Sequence, residues 1–228
     1  MPSRRPTSQP NGRMPGWLQR EPGPQMLANA QRMAIPELTR VFGHHGLYLR
    51  PLAGMPVDLS GNMLANVLSL HREDDRLAGQ LRCRDGELPI SSASLSLVYS
   101  LFMLETSPEP DACLQEIARS LKPEGVVLLI GLNSWGIGRL RWWLAPGVRC
   151  SLPLERMAQD AGLEVVRRLY LGPYWPRANR PSIDQGGNRW LDGFRVASLT
   201  VLRRREAALT PLRKTPSTVS LRPGMSTG

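Results

Sequence analysis

The sequence predicts an α/β fold, a three-layer sandwich in which helices cover both faces of a mostly parallel sheet. Three observations lead to this prediction. Strand-like segments alternate with segments of helical periodicity along the chain. Residues 126–130 are apolar at every position, which is typical of a strand covered on both faces. A long irregular segment, 173–190, separates the last two predicted strands.

The first half of the predicted domain holds one helix and three strands. Residues 25–42 have apolar side chains at helical spacing, and we expect Pro36 to kink or split this helix. Residues 43–46, Gly-His-His-Gly, read as a turn, and residues 72–76 read as a solvated charged connector. The strands are predicted at 47–49, 67–70 and 77–83.

A strand, helix, strand unit follows over residues 88–133. The apolar stretch 95–99 has the length of a buried strand. Prolines and acids at 108–111 suit the first turn of a helix, where amides lack partners and negative charge is favourable. One face of that helix is apolar, through Cys113, Leu114, Ile117, Ala118 and Leu121. The turn 122–125 ends the helix and leads into the strand at 126–130.

The last third of the domain continues the alternation. We expect one helix at 135–144 and another that starts at Ser151 and is closed by Gly162. Residues 164–170 and 194–202 complete a set of seven predicted strands. The Pro/Arg-rich residues 1–24 and the basic residues 206–228 lack apolar periodicity, so we expect disordered tails around a domain at 25–205.

Charge and cysteine content exclude several classes of function. The net charge is +10, but residues 33–202 hold 18 basic and 17 acidic groups, so the excess lies in residues 1–32 and 203–228 and nucleic-acid binding is a weak third hypothesis. Three cysteines without a C-x-x-C pair predict neither a disulfide framework nor a metal site. The sequence lacks an 18-residue apolar stretch and a signal peptide, which favours a cytoplasmic protein without a membrane span.

Residues 87–136, ELPISSASLSLVYSLFMLETSPEPDACLQEIARSLKPEGVVLLIGLNSWG, resemble class I S-adenosylmethionine-dependent methyltransferases of type 11, the ubiquinone-biosynthesis-like group. The shared elements include the Leu-Pro, the acidic-proline loop and the Lys-Pro-x-Gly turn, and Glu105 keeps the family's register. This resemblance implies a seven-stranded Rossmann-like sheet with S-adenosylmethionine at the carboxyl ends of its strands.

The resemblance also implies which residues contact the cofactor, namely Gly54, Asp85, Gly86, Leu88 and Ser100. Gly54 stands in the turn after the first strand, and Asp85 lies one position from the acid that faces the adenine amine. The chain departs from the family pattern at Arg50, Pro51, Arg84, Ser96 and Phe102. The sequence identifies no catalytic residue and no metal ligand, and His44-His45 reads as a polar turn.

Two functions remain open at this point. One is transfer of a methyl group from S-adenosylmethionine to a small molecule, which requires mainly apposition of donor and acceptor. The other is a catalytically degenerate methyltransferase-fold protein that acts as a scaffold or binds a protein partner. Trp135, Trp142 and Trp143 either cover the sheet or, with Arg139 and Arg141, form a lid over an anionic or aromatic substrate.

Overall fold

The computed structural model describes residues 23–55, 59, 61–136, 152–172 and 192–205. Several predicted segments lie outside these residues: 1–22 and 206–228 of the two tails, 137–144 of a helix, and the irregular connection 173–190. The division into one domain and two tails therefore stays a prediction.

The described residues form three helices and seven strands. The helices are α1 (Gly23–Leu38), α2 (Pro110–Ser120) and α3 (Leu154–Asp160), and a short 3-10 turn spans Asp192–Phe194. The strands are β1 (Phe42–Arg50), β2 (Met63–Glu73), β3 (Arg76–Gly79), β4 (Leu95–Leu101), β5 (Leu121–Leu132), β6 (Leu163–Leu171) and β7 (Ala197–Arg204). Helix α1 runs through Pro36, which lies in its last turn.

All seven strands belong to one sheet, in the order β3-β2-β1-β4-β5-β7-β6. The pairs β1–β2, β1–β4 and β4–β5 are parallel, whereas β2–β3, β5–β7 and β6–β7 are antiparallel. The predicted fold class is confirmed, but the prediction of a mostly parallel sheet is partly wrong. Strand β3 follows β2 directly through Asp74 and Asp75, and a connection this short can only return the chain antiparallel.

Helices cover both faces of the sheet, as predicted. Helix α1 packs through Leu27, Ala30 and Ala34 on the face that carries Tyr48 and Tyr99. Helices α2 and α3 pack on the opposite face, in a cluster with Leu49, Leu70, Val98 and Leu129. Burial of such a leucine or valine side chain contributes about 1.5–3 kcal/mol each, so the two apolar layers hold the sheet between them.

The predicted turn at 43–46 is wrong, because these residues form the first half of β1. The two glycines are needed for close packing against neighbouring strands and do not form a turn. A Cβ atom on Gly43 would overlap the side chain of Ser96, and one on Gly46 would overlap Leu64. The missing side chains therefore let β1 lie between its two neighbours, and the strand is three times the predicted length.

The turn at 122–125 also differs from the prediction. It ends α2 as expected, but it lies within β5, where the pairing with β4 shifts from Leu95↔Leu121 to Leu97↔Val126. Glu124 has a φ of 61°, which is a left-handed conformation that few non-glycine residues adopt. An irregularity in the ladder thus accommodates the tight turn without ending the strand.

Candidate functional site

The carboxyl ends of β1, β2, β4 and β5 meet at one edge of the sheet, because these four strands are mutually parallel. Open α/β sheets bind their ligands at this edge. The segments that leave it are the loop after β1, the hairpin after β2, the loop 102–109 after β4 and the residues that follow Leu132. All five residues predicted to contact the cofactor lie in or beside these segments.

Asp85 takes part in a buried ion pair at this edge. Both of its carboxylate oxygens accept hydrogen bonds from the guanidinium of Arg72, at 2.6 Å each, and the Ser107 hydroxyl donates a third. The side chains of Arg72 and Asp85 are 1% and 2% exposed. The prediction of a solvated connector at 72–76 is therefore wrong for Arg72, and the oxygens of Asp85 are already engaged by protein groups.

Gly86 and Leu88 lie against helix α2. A Cβ on Gly86 would stand 3.2 Å from the Cβ of Ala112, which is tight packing. The Leu88 amide donates to Glu116 Oε2 at 3.2 Å, and Arg119 donates to the Leu88 carbonyl at 3.1 Å. The hydrogen bond from Arg119 also lowers the pKa of Glu116. The segment after β3 is thus fixed to α2 through side chains of the helix.

Ser100 lies in β4, and strand alternation places it on the face that α2 covers, because Val98 lies there too. Ser100 is fully buried, and its Oγ has no hydrogen-bond partner among the described residues. Its Cα pairs with Leu49 on one side and Leu129 on the other. An unpaired buried hydroxyl is uncommon and is suited to a polar ligand atom.

Gly54 stands apart from the other four residues, in the loop after β1. A Cβ at this position would meet no atom of the described residues within 4 Å, so these residues leave the backbone accessible to a ligand. Arg50 precedes this loop, and its guanidinium donates to the carbonyl oxygen of Met55 at 2.7 Å. Arg50 therefore folds back onto its own loop. The structure brings Asp85, Gly86 and Leu88 together, with Ser100 on the same face and Gly54 beyond the end of β1.

A cavity of about 580 Å³ opens at the same edge, beyond β4 and β5. Its lining includes Glu105, Gly131, Asn133, Trp135, Arg156 and Arg168. Sequence reasoning had singled out Glu105 and Trp135 without predicting that they share a cavity. Arg168 was missed, since nothing in the sequence shows that β6 follows β7 in the sheet and reaches this edge.

Glu105 is a carboxyl group enclosed by protein. It is 6% exposed, and its Oε1 accepts a hydrogen bond from the Leu132 amide at 2.6 Å. Burial raises the pKa of Glu105 to about 7, although hydrogen bonds from the Glu105 and Leu132 amides act in the opposite direction. A side chain on Gly131 would overlap Glu105 Oε1, so glycine is required for this close approach.

The part of the chain that the structure describes holds no group of three or more His, Cys, Asp or Glu residues that are placed to bind a metal ion. Burial raises the pKa of Cys113 to about 12 and also raises that of Cys83, so both thiols are protonated at neutral pH. None of the described helices is long and apolar enough to cross a membrane.

Comparisons with known proteins agree with this architecture. Residues 42–129 match a family model described as a methyltransferase domain. A comparison with curated protein sequences gives no match.

Solved structures resemble the chain at low identity, and the first two below share its fold. A protein described as a methyltransferase from Bacillus halodurans has a TM-score of 0.52 at 13% identity, over 76% of this chain and 98% of that one. A SAM-dependent methyltransferase from Aquifex aeolicus has a TM-score of 0.51 at 12% identity, over 81% and 94%. A Haloferax volcanii complex between a methyltransferase and its activator Trm112 has a TM-score of 0.49 at 17% identity, over 80% and 90%.

Proposed function

We propose that this chain is a class I S-adenosylmethionine-dependent methyltransferase and that it transfers a methyl group to a small molecule held in the cavity beyond β4 and β5. The observation that carries the proposal is the cavity itself. Its volume of about 580 Å³ suits a small molecule, for which sites of roughly 300–1,000 Å³ are usual. It adjoins the sheet edge where the family binds its cofactor.

The residues at this edge fit S-adenosylmethionine in part. Gly54 leaves the backbone after β1 accessible, and the buried Ser100 hydroxyl lacks a protein partner. Asp85 does not fit its expected role at the adenine amine, because Arg72 and Ser107 already bind its oxygens. We therefore assign the cofactor to Gly54 and Ser100, and we assign Asp85, Gly86 and Leu88 to the wall that supports them.

The chemistry divides between cofactor and protein. S-adenosylmethionine supplies an activated methyl group when it is bound. The chain positions the two reactants. Strands β4 and β5 are adjacent and parallel, and Ser100 of β4 pairs with Leu129 of β5, which lines the cavity. The proposed cofactor contact at Ser100 therefore lies beside the cavity. Bringing donor and acceptor into apposition contributes most of the rate enhancement in a reaction of this type.

The experiment is a thermal-shift titration of the full chain with S-adenosylhomocysteine. At 100 times the dissociation constant, a ligand adds about 2.7 kcal/mol to the free energy of unfolding, which is an easily measured shift. We expect Gly54→Trp to abolish the shift without lowering the melting temperature of the free protein, because the space around Gly54 is open. Phe42→Trp is the matched control, since Phe42 is 66% exposed at the opposite end of β1.

A second candidate function is the catalytically degenerate scaffold, and the buried Arg72–Asp85 pair favours it. This pair gives a structural role to Asp85, which the resemblance had suggested for contact with the cofactor. A scaffold of this kind gives no shift with S-adenosylhomocysteine or S-adenosylmethionine at millimolar concentration. That result would remove the transferase proposal and leave the scaffold, whose partner would be a protein.

A further inference from the structure

We propose that the cavity binds a planar molecule with a neutral hydroxyl group, which donates a hydrogen bond to the Glu105 carboxylate while the ring lies against Trp135. The inference rests on the proposed function only in that it names the acceptor class. The binding site itself is formed by residues of this chain and can be tested without the cofactor.

Glu105 has the geometry of a fixed hydrogen-bond acceptor. The Leu132 amide holds Oε1 at 2.6 Å, and the absence of a side chain on Gly131 lets the carboxyl approach β5 closely. The carboxyl lines the cavity, so a ligand can reach it. A neutral hydroxyl group in the cavity can donate a hydrogen bond to the Glu105 carboxylate at little desolvation cost, whereas an anionic ligand would be repelled by it.

The two arginines that line the cavity form ion pairs with acidic residues other than Glu105. Arg168 of β6 pairs with Glu155 of α3 at 3.3 Å, and Arg156 of α3 lies 3.9 Å from Asp160. Within the described ranges, no arginine or lysine forms an ion pair with Glu105. Glu155, Arg156 and Arg168 are therefore the charged groups that line the cavity with Glu105, and none of them neutralises it directly.

Trp135 provides a flat apolar surface beside this acceptor. The residue is 80% exposed, which is unusual for tryptophan. Its backbone is nevertheless held beside the cavity, because its amide donates to Asn133 Oδ1 at 3.2 Å. Asn133 is itself anchored, since its Nδ2 donates to the carbonyl oxygens of Gly193 and Arg195 at 2.6 and 2.8 Å.

The rest of the lining supports an apolar ring. Leu104, Leu129, Leu132 and Leu152 contribute to the wall of the cavity. Ligand sites of this kind combine an apolar wall with a few polar groups that fix orientation. Of the two carboxyls that line the cavity, Glu155 pairs with Arg168, whereas Glu105 forms no ion pair within the described residues. The Trp135 side chain stands at the surface. A ring system with one hydroxyl matches that distribution.

The test uses two probes of the same shape, 2-naphthol and 2-methoxynaphthalene, titrated calorimetrically into the full chain at pH 6 and pH 8. We expect 2-naphthol to bind at least tenfold more tightly at pH 8, because only it can donate to ionised Glu105. We expect the ratio to fall at pH 6, where Glu105 is largely protonated and can itself donate to either oxygen. Equal affinities at both pH values, or no binding of 2-naphthol, would overturn the inference.

Two variants locate the effect. In Glu105→Gln the amide oxygen can keep the Leu132 hydrogen bond while the NH₂ group donates to hydroxyl and ether alike, so the ratio should drop to about one at both pH values. Trp135→Ala should weaken both probes by a similar factor and preserve their ratio. A Glu105→Gln protein that keeps the tenfold preference would contradict the assignment.

The same titrations repeated with S-adenosylhomocysteine separate the two proposals. If the protein discriminates the probes but never binds S-adenosylhomocysteine, the transferase function fails and the hydroxyl site stands. If S-adenosylhomocysteine binds but the probes are not discriminated, the function stands and the hydroxyl site fails. Should Glu105→Gln not fold, the pH dependence of the wild-type ratio still decides the matter.

Discussion

The guanidinium of Arg72 binds both carboxylate oxygens of Asp85 at 2.6 Å, and both side chains are almost completely buried. The pair joins strand β2 to the segment after β3, and the Ser107 hydroxyl extends it to the loop after β4. Three segments of the carboxyl edge are thereby held together by one carboxylate. A planar guanidinium suits this bidentate geometry, which a lysine could not reproduce.

Asp85→Ala should destabilise the protein by about 3–5 kcal/mol, because it leaves the Arg72 charge buried without a partner. Urea unfolding followed by circular dichroism measures the change. Glu73→Ala is the control, since the Glu73–Arg82 ion pair is exposed and contributes at most about 1 kcal/mol. Similar effects of the two substitutions would show that the buried pair does not support the edge.

Replacing both Arg72 and Asp85 tests whether the loss of stability comes from an unpaired buried charge. Arg72→Met combined with Asp85→Leu removes both charges and keeps an apolar volume. We expect this double variant to be more stable than Asp85→Ala, because no unpaired charge remains. A double variant as unstable as the single one would mean that the hydrogen bond from Ser107 and the shape of the pair dominate instead.

The raised pKa of Glu105 predicts a defined pH dependence of stability. The folded protein holds this proton up to about pH 7, while the unfolded chain loses it near pH 4.5, so the contribution of Glu105 to stability falls as pH rises between these values. Glu105→Gln cannot ionise. Its stability relative to wild type should therefore increase from pH 4.5 to pH 7 by up to about 3 kcal/mol. A stability difference that is independent of pH would show that Glu105 titrates normally.

Gly131→Ala should disturb the site, because the added Cβ would overlap Glu105 Oε1. We expect a loss of about 1–3 kcal/mol in unfolding free energy, the usual cost of overpacking, together with weaker binding of 2-naphthol. Gly193→Ala is the matched control, since a Cβ there would meet no atom of the described residues within 4 Å. Unfolding midpoints of the two variants, measured side by side, decide whether the close approach is required.

Trp135→Ala should leave the unfolding free energy within about 0.5 kcal/mol of wild type, because the side chain is 80% exposed. Its effect should appear in ligand binding instead. Loss of an aromatic contact of about 0.5–1.5 kcal/mol corresponds to roughly 2- to 12-fold weaker affinity. A large loss of stability would place Trp135 in the fold and remove it from the cavity mouth.

The sequence determined the layers of this protein and the order of their elements. Periodic apolar positions at 113–121 predicted α2 and its buried face, and the unbroken apolar run 126–130 predicted the interior strand β5. These features depend on local spacing, which a linear pattern records directly. The same reasoning wrongly predicted a turn at residues 43–46. A sequence pattern does not show that these glycines lie against side chains of the neighbouring strands.

Only the tertiary structure decided how the residues of the site combine. Arg72 and Asp85 are 13 residues apart in sequence, and the antiparallel return of β3 brings them into contact. Arg168 reaches the cavity of Glu105 because β6 pairs with β7 and not with β5. Charge pairing and burial depend on distances between elements. These distances are set by strand order and packing, and a pattern of residue types does not contain them.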